Sequence, residues 1–291
     1  MTDMFIGSRW IVAAVAAACL ALGGASAAQA GDGDWYIGAN MPLMFIDDSD
    51  STAITSFGQG AINIHSTVRS EHDTGFKLGG VIGRHLDSGI RIEGELFFAR
   101  ANVGKLTHSS ISLPELAASL PPTLPAGLLT LPTEVNVDGL SGSGDQFGAM
   151  VNLWYDFDTG DNWTPYIGAG FGLIRIDQGS LRYNTNAVKN EIARAVGAAA
   201  AQNPQLGQAL AGFADLAAAE VPRLSTTDTA FAYQLGAGIG YALSDTATLQ
   251  IGYRLQALNG LSFSGDNGMV STSTETDLRI HFLEIGIRQL F

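Results

Sequence analysis

Residues 231–241 read FAYQLGAGIGY, and this stretch decides the fold. Phe231, Tyr233, Leu235, Ala237, Ile239 and Tyr241 fall on one side of a period of two, with Ala232, Gln234, Gly236, Gly238 and Gly240 on the other. That period is a β-strand. In a soluble sheet the apolar side would be the core and its opposite would carry solvated charges. Here the opposite side is glycine, alanine and glutamine, which suits a narrow, crowded interior and turns the apolar side outward. Aromatics close both ends of the outward row, ten residues apart. Ten residues at ~3.3 Å, tilted ~40°, rise roughly 25 Å, the height of the apolar band on an outer-membrane barrel.

Working outward, the same aromatic spacing recurs between Trp35 and Phe45 and between Phe147 and Phe157. Three such pairs on different strands make two aromatic girdles, extended by Phe76 and Phe98 above and Phe291 below. The apolar/small split also appears in 76–83, 90–98, 167–173, 249–255 and 283–291, which brings the strands to eight. Connections at 86–89, 158–164 and 244–247 are short, and those near 47–73, 103–145, 177–228 and 259–276 are long. Short turns belong to the periplasmic side and long loops to the outside. The fold class is all-β: an eight-stranded antiparallel transmembrane β-barrel of outer-membrane type, strand one closing on strand eight, with helical extracellular loops.

Residues 1–30 carry Arg9, an apolar run from Trp10 to Leu22 and a small-residue end at Ala28-Gln29-Ala30. This reads as a cleaved signal peptide, leaving 31–291 as the barrel and implying export to a bacterial outer membrane. The chain's one cysteine, Cys19, lies in that segment, so the barrel has no thiol, disulfide or cysteine metal ligand. Charged residues are only 15% and the net charge is −13, which excludes a nucleic-acid binder.

The loops carry helical signals of their own. Ser112-Leu113-Pro114-Glu115 has capping-box spacing and opens a short run to Leu120. Val188, Ile192, Val196 and Ala199 repeat at helical spacing. Asn203 and Pro204 then start a second helix through Leu206, Leu210, Phe213 and Ala217.

Tyr155-Asp156-Phe157 followed by Trp163-Thr164-Pro165-Tyr166-Ile167-Gly168-Ala169-Gly170, then 231–238, Ile251-Gly252-Tyr253-Arg254 and the closing 284–291, together resemble the eight-stranded surface-antigen barrels of Gram-negative bacteria, related in architecture to the barrel of OmpA. The resemblance implies a surface-exposed outer-membrane protein, structural, antigenic or adhesin-like, without a reaction or cofactor. The closing segment resembles the signal read by the barrel-assembly machinery, with Gly286 and the terminal Phe291 as its marks and Gln289 departing from it. The implied partners are outer-membrane lipid, lipopolysaccharide, that machinery and an unidentified extracellular partner.

Inward parity assigns Lys77, Arg91, Glu93, Glu95, Arg254, Glu284 and Arg288 to a charge network in the lumen, with Asp156 as a further acid. An eight-stranded barrel is only wide enough for side chains to fill, so paired charges close it. A narrow porin-like channel is the alternative reading. A lipid A modifying enzyme is the third, since His108-Ser109-Ser110 superficially resembles the His-x-Ser pair of a barrel deacylase but lies in a predicted loop. Asp47, Asp48 and Asp50 form an acidic loop start that could bind Ca²⁺ or simply be solvated. Arg100, Arg175 and Arg279 carry outward parity just above the apolar span, where a guanidinium can fork to a lipopolysaccharide phosphate.

Overall fold

The computed structural model describes residues 35–57, 62–70, 74–103, 108–112, 134–136, 142–181, 186–206 and 224–291. The strands are β1 (Trp35–Asn40), β2 (Leu43–Ile46), β3 (Ser49–Phe57), β4 (Ile62–Ser70), β5 (Gly75–His85), β6 (Ile90–Val103), β7 (His108–Ser112) and β8 (Glu134–Asn136). They continue with β9 (Gly142–Asp156), β10 (Trp163–Leu181), β11 (Leu224–Ala242), β12 (Ala247–Asp266) and β13 (Val270–Leu290). Helix α1 (Asn186–Gln202) lies between β10 and β11. No helix among the described residues is long and apolar enough to cross a membrane. The strands do so.

Antiparallel neighbours run β1, β5, β6, β9, β10, β11, β12 and β13. The ring closes where β1 pairs β13, from Tyr36 opposite Leu290 to Asn40 opposite Gly286. This is the eight-stranded barrel, and closure leaves the spanning wall without a free edge to satisfy in lipid. Inward residues are mostly buried, whereas the outward row of β11, from Phe231 to Ile239, is exposed throughout.

Above the membrane the wall continues. Strand β3 pairs β13 from Thr52 opposite Glu275 to Phe57 opposite Val270, and it pairs β4 from Ser49 opposite Ser70 to Phe57 opposite Ile62. That pairing keeps the register in which Trp35 faces Arg84 across β1 and β5. So β1, β2 and β3 are one long interrupted strand, and β4 and β5 are its return. Strand β4 pairs β7, and β7 pairs β8.

These pairings correct the reading of 47–73, 103–145, 177–228 and 259–276 as loops. Much of what is described there is strand, and the outer connection between β12 and β13 is only residues 267–269. Above the lipid, polar residues replace the apolar outward row, as in Ser271, Ser273, Glu275 and Asp277 of β13, and the inward Thr272 is polar too. The hydropathy contrast that marks a strand vanishes while its hydrogen-bonded ladder persists. In the loop after β10, α1 contains the 188–199 repeat and a 3₁₀ turn follows at Pro204–Leu206. Ser112 ends a strand instead of capping a helix. Residues 113–120, Leu210, Phe213, Ala217 and the segment 1–30 lie outside the described residues.

Candidate functional site: the closed interior and the outer rim

The barrel interior is built in layers by the alternation along each strand. Reading β6 from the periplasmic end, its inward residues are Arg91, Glu93, Glu95, Phe97, Ala99 and Ala101, all buried. Strand β13 read the same way gives Arg288, Glu284, Phe282, Ile280 and Leu278. Both strands pass from charged to apolar at one height.

In the lowest layer the Arg91 guanidinium forks onto Asp156, Nε to Oδ2 at 2.6 Å and Nη2 to Oδ1 at 2.9 Å. Its Nη1 donates to Tyr36 Oη at 3.1 Å, and Tyr36 donates to Glu93 Oε2 at 2.9 Å. Arg288 stacks over the Tyr36 ring at 5.3 Å and reaches Asp156 at 3.9 Å. Trp154 Nε1 donates to Glu93 Oε1 at 3.3 Å.

The next layer is centred on Glu95. Lys77 Nζ lies 2.7 Å from its Oε1 and Arg254 Nη1 2.6 Å from its Oε2. Arg254 Nε also meets Glu284 Oε2 at 2.7 Å. Asn152 Nδ2 donates to both Glu93 and Glu95 at 3.2 Å, and Gln234 and Gln256 continue the polar chain around the wall. Four cations thus face four carboxylates once Asp156 is included, and burial is offset by pairing instead of neutralisation.

Above Glu95 the buried side chains are mostly apolar, with Gln146, Gln178 and Gln256 among them. Lys77 Nζ sits 4.2 Å from the Phe97 ring centre and 4.7 Å from that of Phe282. Beyond them Met44, Met150, Ile174, Leu258 and Ile280 form one apolar cluster. Glycine makes the room: a Cβ at Gly236 would lie 2.9 Å from Trp154 Cη2, and one at Gly252 2.6 Å from Tyr166 Oη. Sequence reasoning missed this apolar half. Around 278–282 of β13 the apolar Leu278, Ile280 and Phe282 point inward while Arg279 and His281 point outward, the reverse of the contrast that marks the lower barrel. It also left Asp156 at the margin, although Asp156 is the main partner of Arg91.

At the outer rim Arg175 and Arg279 are exposed. Arg100 forks onto Asp145 at 2.5 and 2.7 Å, so its geometry for a phosphate is already occupied. Arg279 lines a recess of about 560 Å³ with Asp47, Asp48, Asp50, Glu275 and Asp277. Among the described residues no group of three or more His, Cys, Asp or Glu is arranged to hold a metal ion. Ser109 lies in β7 opposite Val68, within the upper wall. At the periplasmic end Phe291 is exposed on the outer face and its N–H donates to the Trp35 carbonyl at 3.0 Å. Gly286 lies in the closing seam, where a Cβ would approach the Ala39 carbonyl to 2.9 Å.

A closed antiparallel ring with lipid-facing apolar rows, aromatic girdles and a side-chain-filled interior is an outer-membrane β-barrel. The chain belongs to the outer membrane protein beta-barrel domain family, whose model matches residues 15–287. Among solved structures it is similar to Neisserial surface protein A (15% identity, 88% of this chain and 97% of that one, TM-score 0.39). It is likewise similar to the outer membrane protein OprG from Pseudomonas aeruginosa (15%, 88% and 96%, 0.43). The outer membrane protease OmpT from Escherichia coli also aligns (9%, 91% and 99%, 0.42). No curated protein matches in sequence.

Proposed function

We propose that the protein is a non-conducting, surface-exposed platform of antigen or adhesin type, in which the barrel anchors a tall β-wall for contact with an extracellular partner. The observation that carries this reading is the filled interior. Two salt-bridged layers fill the lower lumen beneath a mostly apolar one, so a permeating ion would have to displace paired charges and then enter an apolar layer. The height of the wall adds to it. Strand β13 has 21 residues, and at ~3.3 Å each and ~40° tilt 21 residues rise roughly 50 Å, about twice the apolar band. In this reading Arg175 and Arg279 meet lipopolysaccharide phosphates at the rim, with Arg100 contributing less because of Asp145. Gly286 and Phe291 serve the barrel-assembly machinery.

The test is a planar-bilayer recording of the purified barrel alongside proteolysis of intact cells. A flat baseline with cleavage confined to residues above the rim supports the platform. Stepwise ohmic conductance would overturn it in favour of the narrow porin.

A further inference from the structure

We propose that Tyr253, His281 and Asp47 form an acid–base relay on the lipid-facing wall that hydrolyses the acyl esters of outer-leaflet lipids. The three residues come from β12, β13 and the segment just after β2, and only barrel closure brings them together. His281 Nε2 lies 2.9 Å from Asp47 Oδ1, and its Nδ1 meets the Tyr253 hydroxyl. With the Nε2 proton held by Asp47, Nδ1 is left to accept the tyrosine proton, the arrangement of a nucleophile, its base and the carboxylate that orients the base.

Position selects the substrate. His281 is level with Phe45 of the outer girdle and with Leu255, and Tyr253 with Leu283. All face outward, at the height where lipid ester linkages meet the headgroups. The reacting group found at that height is the carboxylic ester that joins acyl chain to headgroup.

In the first step Tyr253 Oη attacks the ester carbonyl as its proton passes to His281 Nδ1. Collapse of the tetrahedral intermediate breaks the C–O bond to the lipid alcohol, which takes the proton from Nδ1. Water, deprotonated by the same nitrogen, then releases the fatty acid and restores the tyrosine. Tyr253 and His281 are the catalytic residues, and Asp47 is a positioning residue.

The experiment uses the barrel refolded in vesicles of phosphatidylethanolamine and lipopolysaccharide, with p-nitrophenyl palmitate as a chromogenic probe. Lysolipid should accumulate, and the protein should gain one acyl mass on the peptide containing Tyr253. Tyr253→Phe should lose both signals while keeping heat-dependent gel mobility. Asp47→Asn should lower kcat ~100-fold or more with KM unchanged, and Asp47→Glu should restore part of it. Unchanged lipid masses, an adduct on another residue, or full activity in Tyr253→Phe would overturn the relay and leave the three residues as an interfacial anchor. If Tyr253→Phe does not fold, the adduct map of the parent protein decides.

Discussion

Glu95 is the residue on which the interior turns, and Glu95→Gln is the sharpest perturbation of it. The side chain is fully buried and holds Lys77 at 2.7 Å and Arg254 at 2.6 Å. Glutamine keeps the shape and removes the charge, so four cations would face three carboxylates. Arg254 retains Glu284, whereas Lys77 keeps an amide oxygen and the Phe97 and Phe282 rings but loses its counter-charge. Removing one partner of a buried pair costs about 3–5 kcal/mol, because the remaining charge is desolvated without compensation. The cation–π contacts with the two aromatic faces exist in the parent as well and cancel in the difference, so the expected loss stays at about 3–5 kcal/mol. The assay is urea unfolding from vesicles followed by tryptophan fluorescence, for which Trp154, 4.8 Å from the Arg254 guanidinium, is a local reporter. Lys77→Met in the same background should recover most of the loss, since the orphaned ammonium is then gone. A change below ~1 kcal/mol in Glu95→Gln, or a double variant as unstable as the sum of the singles, would refute the account.

Gly236→Leu should drive a side chain into Trp154 and lower stability by about 1–3 kcal/mol, read as a drop in the temperature at which the compact form is lost on gels. Glu284→Ala should cost about 3–5 kcal/mol by leaving Arg254 with Glu95 alone, measured by the same urea titration. Arg175→Gln with Arg279→Gln should reduce co-purifying lipopolysaccharide, while Arg100→Gln alone should change it little, because Asp145 already occupies that guanidinium. Deleting Phe291 should slow insertion by purified assembly machinery without preventing refolding into detergent, followed by the rate of appearance of the heat-modifiable form.

Legibility followed the contrast between faces. Where lipid lies on one side and charge or glycine on the other, as from Phe76 to Gly83 or Phe231 to Tyr241, the period of two is plain and the ring could be assembled from it. Inward parity alone placed Lys77, Arg91, Glu95 and Glu284 on one surface. It failed where the contrast reverses or disappears. In the outer half of the lumen apolar residues point inward while Arg175, Arg279 and His281 point outward, so Ile174, Leu258, Ile280 and Phe282 did not declare themselves as interior. Above the membrane both faces are polar, so β3, β4 and the outer parts of β12 and β13 passed for loops. The 188–199 repeat survived in α1 because a 3.6-residue period needs no lipid to be visible.

Sequence by itself determined the class of the molecule, because strand length, girdle spacing and alternation are one-dimensional signals imposed by a bilayer of fixed thickness. Tertiary structure alone decided the partners. Arg91 pairs with Asp156 across 65 positions and Lys77 and Arg254 share Glu95, while Tyr253, His281 and Asp47 meet only because the first and last strands close the ring. Parity tells which face a side chain takes. Which neighbour it meets depends on the register between strands and on the circumference at which the barrel closes, and both are properties of the assembled sheet.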